Sequence, residues 1–209
     1  MVVMAPCVQA QVAEVPRARA SFLGLGMTSM TGFYSDSNEG EASIAYAPTV
    51  LGCWAMSPSL ALRGGVAYRR NQTNRESGNA TQRRVRQTTT GNVVVPALLQ
   101  LTLNPEAPRF HTALFGGLTF WHINQRGQQT DYYYDPSRPV TEWQQKLNRK
   151  HLYTFLTGGF NASYQLAPRW VVLTDLTVNF RLGEKTEYYE YFPSVGMQLG
   201  AGYCWGTAR

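Results

Sequence analysis

Residues 169–182, RWVVLTDLTVNFRL, decide the fold, because their apolar side chains recur with a period of two. Trp170, Val172, Thr174, Leu176, Val178, Phe180 and Leu182 share one face, while Val171, Leu173, Asp175, Thr177, Asn179 and Arg181 share the other. The first face is apolar from end to end and the second turns polar and charged, so the segment reads as a β-strand between two unlike surroundings. Its length suits a bilayer, since about 9 to 11 residues of tilted strand cross the hydrocarbon. One strand of a soluble sandwich alternates in the same way, so the reading depends on whether the chain repeats the unit.

It does. Upstream, Ala167-Pro168 is a short turn, and residues 151–166 alternate Leu152, Thr154, Leu156, Phe160, Ala162 and Tyr164 against Tyr153, Thr157, Asn161, Ser163 and Gln165. Downstream, residues 194–205 set Val195, Met197, Leu199, Ala201, Tyr203 and Trp205 against Gly196, Gln198, Gly200, Gly202 and Cys204. Nearer the start, residues 20–32 carry Leu23, Leu25 and Met27 on one face, and residues 42–56 carry Ile44, Tyr46, Pro48, Val50, Gly52 and Trp54 in one phase. Pro48 donates no ladder hydrogen bond, so a bulge is expected there. Residues 60–69 alternate Leu62, Gly64, Val66 and Tyr68 against Ala61, Arg63, Gly65, Ala67 and Arg69. Val93, Val95, Ala97, Leu99, Leu101 and Leu103 form another apolar face, and residues 110–124 form a strand apolar in both phases, whose facing stays open.

That makes eight strands. Their connections alternate long and short: the short ones lie around 57–59, 104–109 and 167–168, the long ones at 33–41, 70–87, 125–149 and 183–191. Residues 70–87 read as a long loop or as the exposed ends of two strands; residues 125–149 read as a second polar excursion. Long connections on one side only are the mark of an antiparallel up-and-down transmembrane β-barrel. The polar opposite faces exclude a hydrophobic core inside such a barrel, so lipid is expected outside. Tyr46, Tyr68, Trp170, Tyr203 and Trp205 fall near strand ends, where aromatic girdles lie. Trp170 is expected near the periplasmic turn and Arg181 near the outer rim.

Composition is consistent with this all-β reading. The 209 residues are 44% hydrophobic and 15% charged with 19 glycines, neither a disordered chain nor a helical membrane protein. The longest nearly apolar run, 93–103, contains Pro96 and Gln100 and falls short of the roughly 20 residues a spanning helix needs. Residues 1–10 read as the remnant of a secretory signal, cut after Ala10, with 11–19 as lead-in, 20–206 as barrel and 207–209 as tail. The basic n-region and most of the apolar core are missing, so either the start is assigned too late or the signal reading fails. Cys7 follows Pro6, a poor lipidation context. Cys53 and Cys204 are expected to remain thiols, since one strand separates theirs and two strand steps of about 4.8 Å exceed what a disulfide spans.

The residues then carry a resemblance. ASIAYAPTVLGCWAMSPSLALRGGVAY resembles the second and third strands of the small outer-membrane β-barrel proteins of Bacteroidetes, and VVVPALLQLTL followed by FHTALFGGLTF is similar to their fourth and fifth. The similarity runs from about Ala20 to Trp205. Cys53, Trp54 and Arg63 depart from the family's usual residues, and the chain continues past Trp205 for Gly206 to Arg209. The resemblance implies an exported barrel of the cell outer membrane.

No site for catalysis, metal or cofactor emerges. His111, His122 and His151 stand in no nucleophile or metal-ligand spacing. An eight-stranded barrel is just wide enough to be filled by side chains, and strands three and seven face each other across it. Arg63 and Asp175 are therefore expected to meet in the lumen, or else to be solvated separately by lumen water. The net charge of +6 concentrates at expected loops, with no nucleic-acid-binding motif beside it. Arg69, Arg70, Arg75, Arg83, Arg84 and Arg86 are the candidates for contacting lipopolysaccharide phosphates. Tyr132, Tyr133, Tyr134, Tyr188, Tyr189 and Tyr191 are the candidates for recognising sugars or protein surfaces. The expected partners are outer-membrane lipid and lipopolysaccharide, with a surface ligand or protein as a further option, and the expected state is a monomer. An adhesin is the second reading; a lipid A-modifying enzyme and a soluble ligand-binding barrel come after it.

Overall fold

Eight alternating segments without a core of their own can bury their edges only in one another, and here they do so in a closed ring. In the computed structural model, residues 21–30, 45–79, 81–135, 138–183 and 194–205 are described. The strands are β1 (Ser21–Met30), β2 (Ala45–Ala55), β3 (Leu60–Gly78), β4 (Gln82–Thr102), β5 (Phe110–Asp135), β6 (Arg138–Ala167), β7 (Trp170–Leu182) and β8 (Ser194–Trp205). Each pairs antiparallel with its sequence neighbours, and β8 returns to β1 from Ser21↔Trp205 to Met30↔Gly196. The seam is glycine-rich for a steric reason. Gly24 faces Gly202 and Gly26 faces Gly200, and a Cβ at Gly26 would stand 2.5 Å from the Leu199 carbonyl oxygen.

The wall is inside out. Leu23, Leu25, Val50, Trp54, Leu62, Val66, Leu99, Leu114, Leu156, Leu176, Phe180 and Leu199 are exposed, Leu25 to 71%. Thr49, Arg63, Gln100, Thr119, Thr157, Asn161, Asp175 and Asn179 are buried. A belt of bare aliphatic side chains around a polar interior is stable only where the outer solvent is lipid. The facing of β5, open in the sequence, is settled by the same rule: Ala113, Phe115, Trp121 and Ile123 point inward, while Leu114, Leu118 and Phe120 point outward. At the lower rim Trp170 packs edge-on against Tyr203, whose hydroxyl accepts a bond from Arg169.

Strand lengths divide the molecule. β1, β2, β7 and β8 have 10, 11, 13 and 12 residues, about what a bilayer crossing needs. β3, β4, β5 and β6 have 19, 21, 26 and 30. The excess stays paired: β3 and β4 remain in register to Gly78↔Arg83, β4 and β5 to Gln82↔Tyr133, and β5 and β6 to Asp135↔Arg138. A four-stranded sheet thus rises beyond the wall on the side opposite the short turns, roughly 35–40 Å along its strands. Short turns mark the periplasmic end of such barrels, so the sheet stands outside the cell.

Two expectations are corrected. Residues 125–135 and 138–149 are not a loop but the continuation of β5 and β6, whereas 70–78 and 82–87 are strand ends, the second of the two options that stretch offered. Pairing with water-exposed neighbours on both faces removed the apolar alternation by which strands are read. At Pro48 there is no bulge; Met27↔Pro48 lies in an unbroken register, and the β2–β3 ladder begins one residue later at Thr49↔Ala67, where the missing N–H costs nothing. Register shifts occur instead at Tyr133/Asp135 and Gln165/Ala167. The proposed signal remnant and lead-in, the first long connection and the tail, as well as the polar connection 184–193, lie outside the described residues.

Candidate functional site

The lumen is filled in tiers. Toward the short-turn end, β3 and β7 bring Arg63 and Asp175 together across the barrel, exposed to only 4% and 1%. The Arg63 guanidinium donates through Nη1 to Asp175 Oδ1 at 2.9 Å and through Nη2 to Oδ2, a two-pronged ion pair. Asn161 Nδ2 donates to the same carboxylate at 2.7 Å, Gln100 Oε1 lies 3.5 Å from the guanidinium, and the Phe115 ring lies under it at 5.4 Å. Both carboxylate oxygens are engaged inside the protein, as burial of charge requires.

Above it, the Thr157 hydroxyl bonds both Thr119 and Asn179 at 2.7 Å. The next tier is apolar: Ala67, Val94, Trp121, Ile123 and Phe155, with Ala47 and Tyr153 packed against them. Trp121 donates to Asn92 at 3.2 Å, and Arg181 lies over the Tyr153 ring at 4.3 Å. Between a polar plug and the aromatic layer above it lies a cavity of about 50 Å³, lined by Arg63, Asp175 and neighbours. That is room for a water or two.

The arginines expected to form one basic loop sit on strands, and the pleat sends neighbours to opposite faces. Arg70 and Arg83 face outward, whereas Arg69, Arg75, Arg84 and Arg86 follow the lumen-facing phase upward, Arg75 opposite Arg86. Arg83 and Arg84 are engaged by carboxylates. Arg83 Nε lies 2.6 Å from Glu76, and Arg84 Nε 2.6 Å from Asp131. The hydrogen bond from Arg84, helped by one from Gln129, holds the Asp131 carboxyl below its ordinary range, and the Arg83 bond does the same for Glu76. Arg69 Nη1 is enclosed without a hydrogen-bond partner among the described residues.

Tyr132, Tyr133 and Tyr134 lie on β5 near the sheet's tip, with Tyr133 and Tyr134 exposed, beside Val140 and Trp143 on β6. Tyr188, Tyr189 and Tyr191 lie outside the described residues. His122 and His151 occupy neighbouring ladder positions but opposite faces, and His151 stacks on Tyr153. His111 sits near the 104–109 turn, Nδ1 3.4 Å from the Asn104 carbonyl. Among the described residues no group of three His, Cys, Asp or Glu side chains converges. Cys53 and Cys204 both flank Phe22 across the ladders and are not joined to each other. Sequence reading missed Arg126, Lys146, Glu76 and Asp131. A signal existed, because the turn-forming run Asp-Pro-Ser-Arg at 135–138 divides the polar excursion into two arms of similar length.

No protein-family model and no curated protein matches the chain. Solved structures do. The outer membrane protein OprG from Pseudomonas aeruginosa is similar at a TM-score of 0.53 and 10% identity, over 91% of this chain and 98% of that one. Ail, the attachment invasion locus protein of Yersinia pestis, gives 0.46 at 11% identity over 89% and 98%. A major outer membrane protein from Thermus thermophilus gives 0.45 at 15% over 87% and 98%. At such identities the likeness is one of fold, and OprG carries it. This chain has the β-barrel fold of bacterial outer-membrane proteins.

Proposed function

We propose that this protein is an integral outer-membrane barrel that does its work at the cell surface, contacting lipopolysaccharide and supporting envelope integrity, without catalysis or conduction. One contrast carries the reading: the lumen is filled by Arg63–Asp175 and the Trp121 layer, whereas the sheet of β3 to β6 is raised outside. A barrel built for passage would invest in its interior; this one invests in a surface. The resemblance to Bacteroidetes barrels belongs to the same proposal.

The test is to remove the sheet and keep the wall. Residues 71–90 and 125–149 end at one ladder level, Arg70↔Gly91 and Asn124↔Lys150, so each hairpin is replaceable by a short turn. The shortened protein is expected in the outer-membrane fraction with a heat-modifiable folded band, while cells admit a hydrophobic dye that wild-type cells exclude. Unchanged dye entry, or an open channel from the full-length protein in planar bilayers, contradicts the reading. A second reading, adhesion to a host or partner surface, is favoured by the exposed tip, where Trp143 is 55% and Val140 54% exposed beside Tyr133 and Tyr134.

A further inference from the structure

Immediately above the lipid belt, the outward face of the projecting sheet is hollow. Tyr68 pairs with Val93 as the belt ends, and two residues further up Arg70 stands opposite Gly91 and Gly91 opposite Asn124. Gly91 is a poor strand residue, and the backbone does not demand it: a Cβ there would meet nothing nearer than the Asn124 carbonyl oxygen at 3.8 Å. A side chain would therefore fill the hollow. The groove above it, of about 690 Å³, is lined by Arg70, Arg126 and Lys146 from three different strands, and among the described residues no Asp or Glu lines it. Glu76 and Glu142, on the same face, stand nearer the tip, Glu76 paired with Arg83 and Glu142 bonded by Gln144.

We infer that this groove is a phosphate-binding cradle for the headgroup of lipopolysaccharide in the outer leaflet, with Arg70, Arg126 and Lys146 as its ligands. The inference rests on the surface-barrel reading and gives its lipid contact an address. Three cations held on one rigid sheet without a counter-charge repel one another and are relieved by an anion of more than one charge. Guanidinium forks suit phosphate oxygens two at a time, and a lysine adds a point charge. Position chooses the source of the phosphate. Arg70 lies two residues above Tyr68, roughly 7 Å along the strand, at the depth of lipid headgroups. Tyr68 lines the foot of the groove, and below it the exposed apolar side chains of Tyr68, Val95 and Leu152 belong to the wall where acyl chains run.

The test uses the full-length barrel in detergent micelles with fluorescent lipid A as probe, in competition with dephosphorylated lipid A and inorganic phosphate. The triple variant Arg70→Gln/Arg126→Gln/Lys146→Gln is expected to bind lipid A at least tenfold more weakly. Gly91→Leu is expected to weaken it comparably by filling the hollow, which keeps the test decisive if the triple variant does not fold. The tip variant Arg83→Gln/Arg84→Gln should stay within twofold of wild type, dephosphorylated lipid A should compete poorly, and millimolar inorganic phosphate should not displace the probe. The cradle is overturned if both cradle variants bind as wild type does, if the tip variant loses as much, or if inorganic phosphate displaces the probe as readily as lipid A. A conducting barrel overturns the surface reading and leaves this binding assay standing; normal binding by the cradle variants in a sealed barrel does the reverse.

Discussion

The wall and the projecting sheet are made from the same strands and obey different solvents. Below Tyr68, Val93, Phe120 and Leu152, the outward phase of β3 to β6 is apolar; above, the same phase continues as Arg70, Gly91, Asn124 and Lys150. The ladders do not notice the change. Backbone pairing continues through the boundary because it is indifferent to what the side chains face, whereas the side-chain pattern records only the medium. Stability should be distributed accordingly. In the wall, Arg63 and Asp175 are buried as a pair and Arg181 lies over the Tyr153 ring; in the sheet most charges are exposed, with Asp131 buried against Arg84.

The sharpest way to break that contrast is at the lumen pair. Asp175→Ala leaves the Arg63 guanidinium buried without its counter-charge, which should cost about 3–5 kcal/mol. In urea titrations of the vesicle-inserted barrel, Arg63→Met combined with Asp175→Leu should recover most of the loss. If Asp175→Ala unfolds at the wild-type midpoint, the pair does not hold the wall together.

Next in size is a charge on the lipid face. Leu176 is at the middle of β7 and 54% exposed, so Leu176→Arg should destabilise the inserted barrel by about 2–4 kcal/mol. Gln144→Arg, on the outward face of β6 in the sheet, should leave the unfolding midpoint where it was. Equal effects at the two positions would mean that one solvent surrounds both.

The smallest effect concerns acid. Asp131 and Glu76 have their carboxyl groups held below the ordinary carboxylate range by Arg84 and Arg83. A carboxyl whose folded pKa is depressed contributes stability that is complete above its unfolded value, near 4, and is lost as pH falls through the lower folded value. Protease cleavage within β3 to β6 should therefore stay slow at pH 5 and quicken only below about 4, with the wall intact throughout. Asp131→Asn should quicken cleavage of the sheet already at pH 7. Quickening of the wild type between pH 6 and 5 would assign the effect to other groups.

The same contrast explains what could be read from the sequence. The wall was legible because lipid and lumen write opposite polarities on alternate residues, as in Val171 to Arg181. Strand counting alone placed Arg63 opposite Asp175. The upper halves of β3 to β6 were opaque because both of their faces meet water, so Arg69-Arg70 and Arg83-Arg84 looked like one basic loop although the pleat divides each pair. Their carboxylate partners required a register: Asp131 lies 47 residues from Arg84 and becomes its neighbour only through the β4–β5 ladder. The groove of Arg70, Arg126 and Lys146 was hidden for the same reason, being assembled from three strands whose local sequence carries no apolar period.

The most direct measurement of this two-solvent account is spin-label accessibility at one wall and one sheet position in lipid vesicles. With the native cysteines replaced, labels at Leu176→Cys and Gln144→Cys should separate cleanly, the first relaxed by oxygen and shielded from a water-soluble nickel chelate, the second relaxed by the chelate. Equal access of the chelate to both labels would contradict the account.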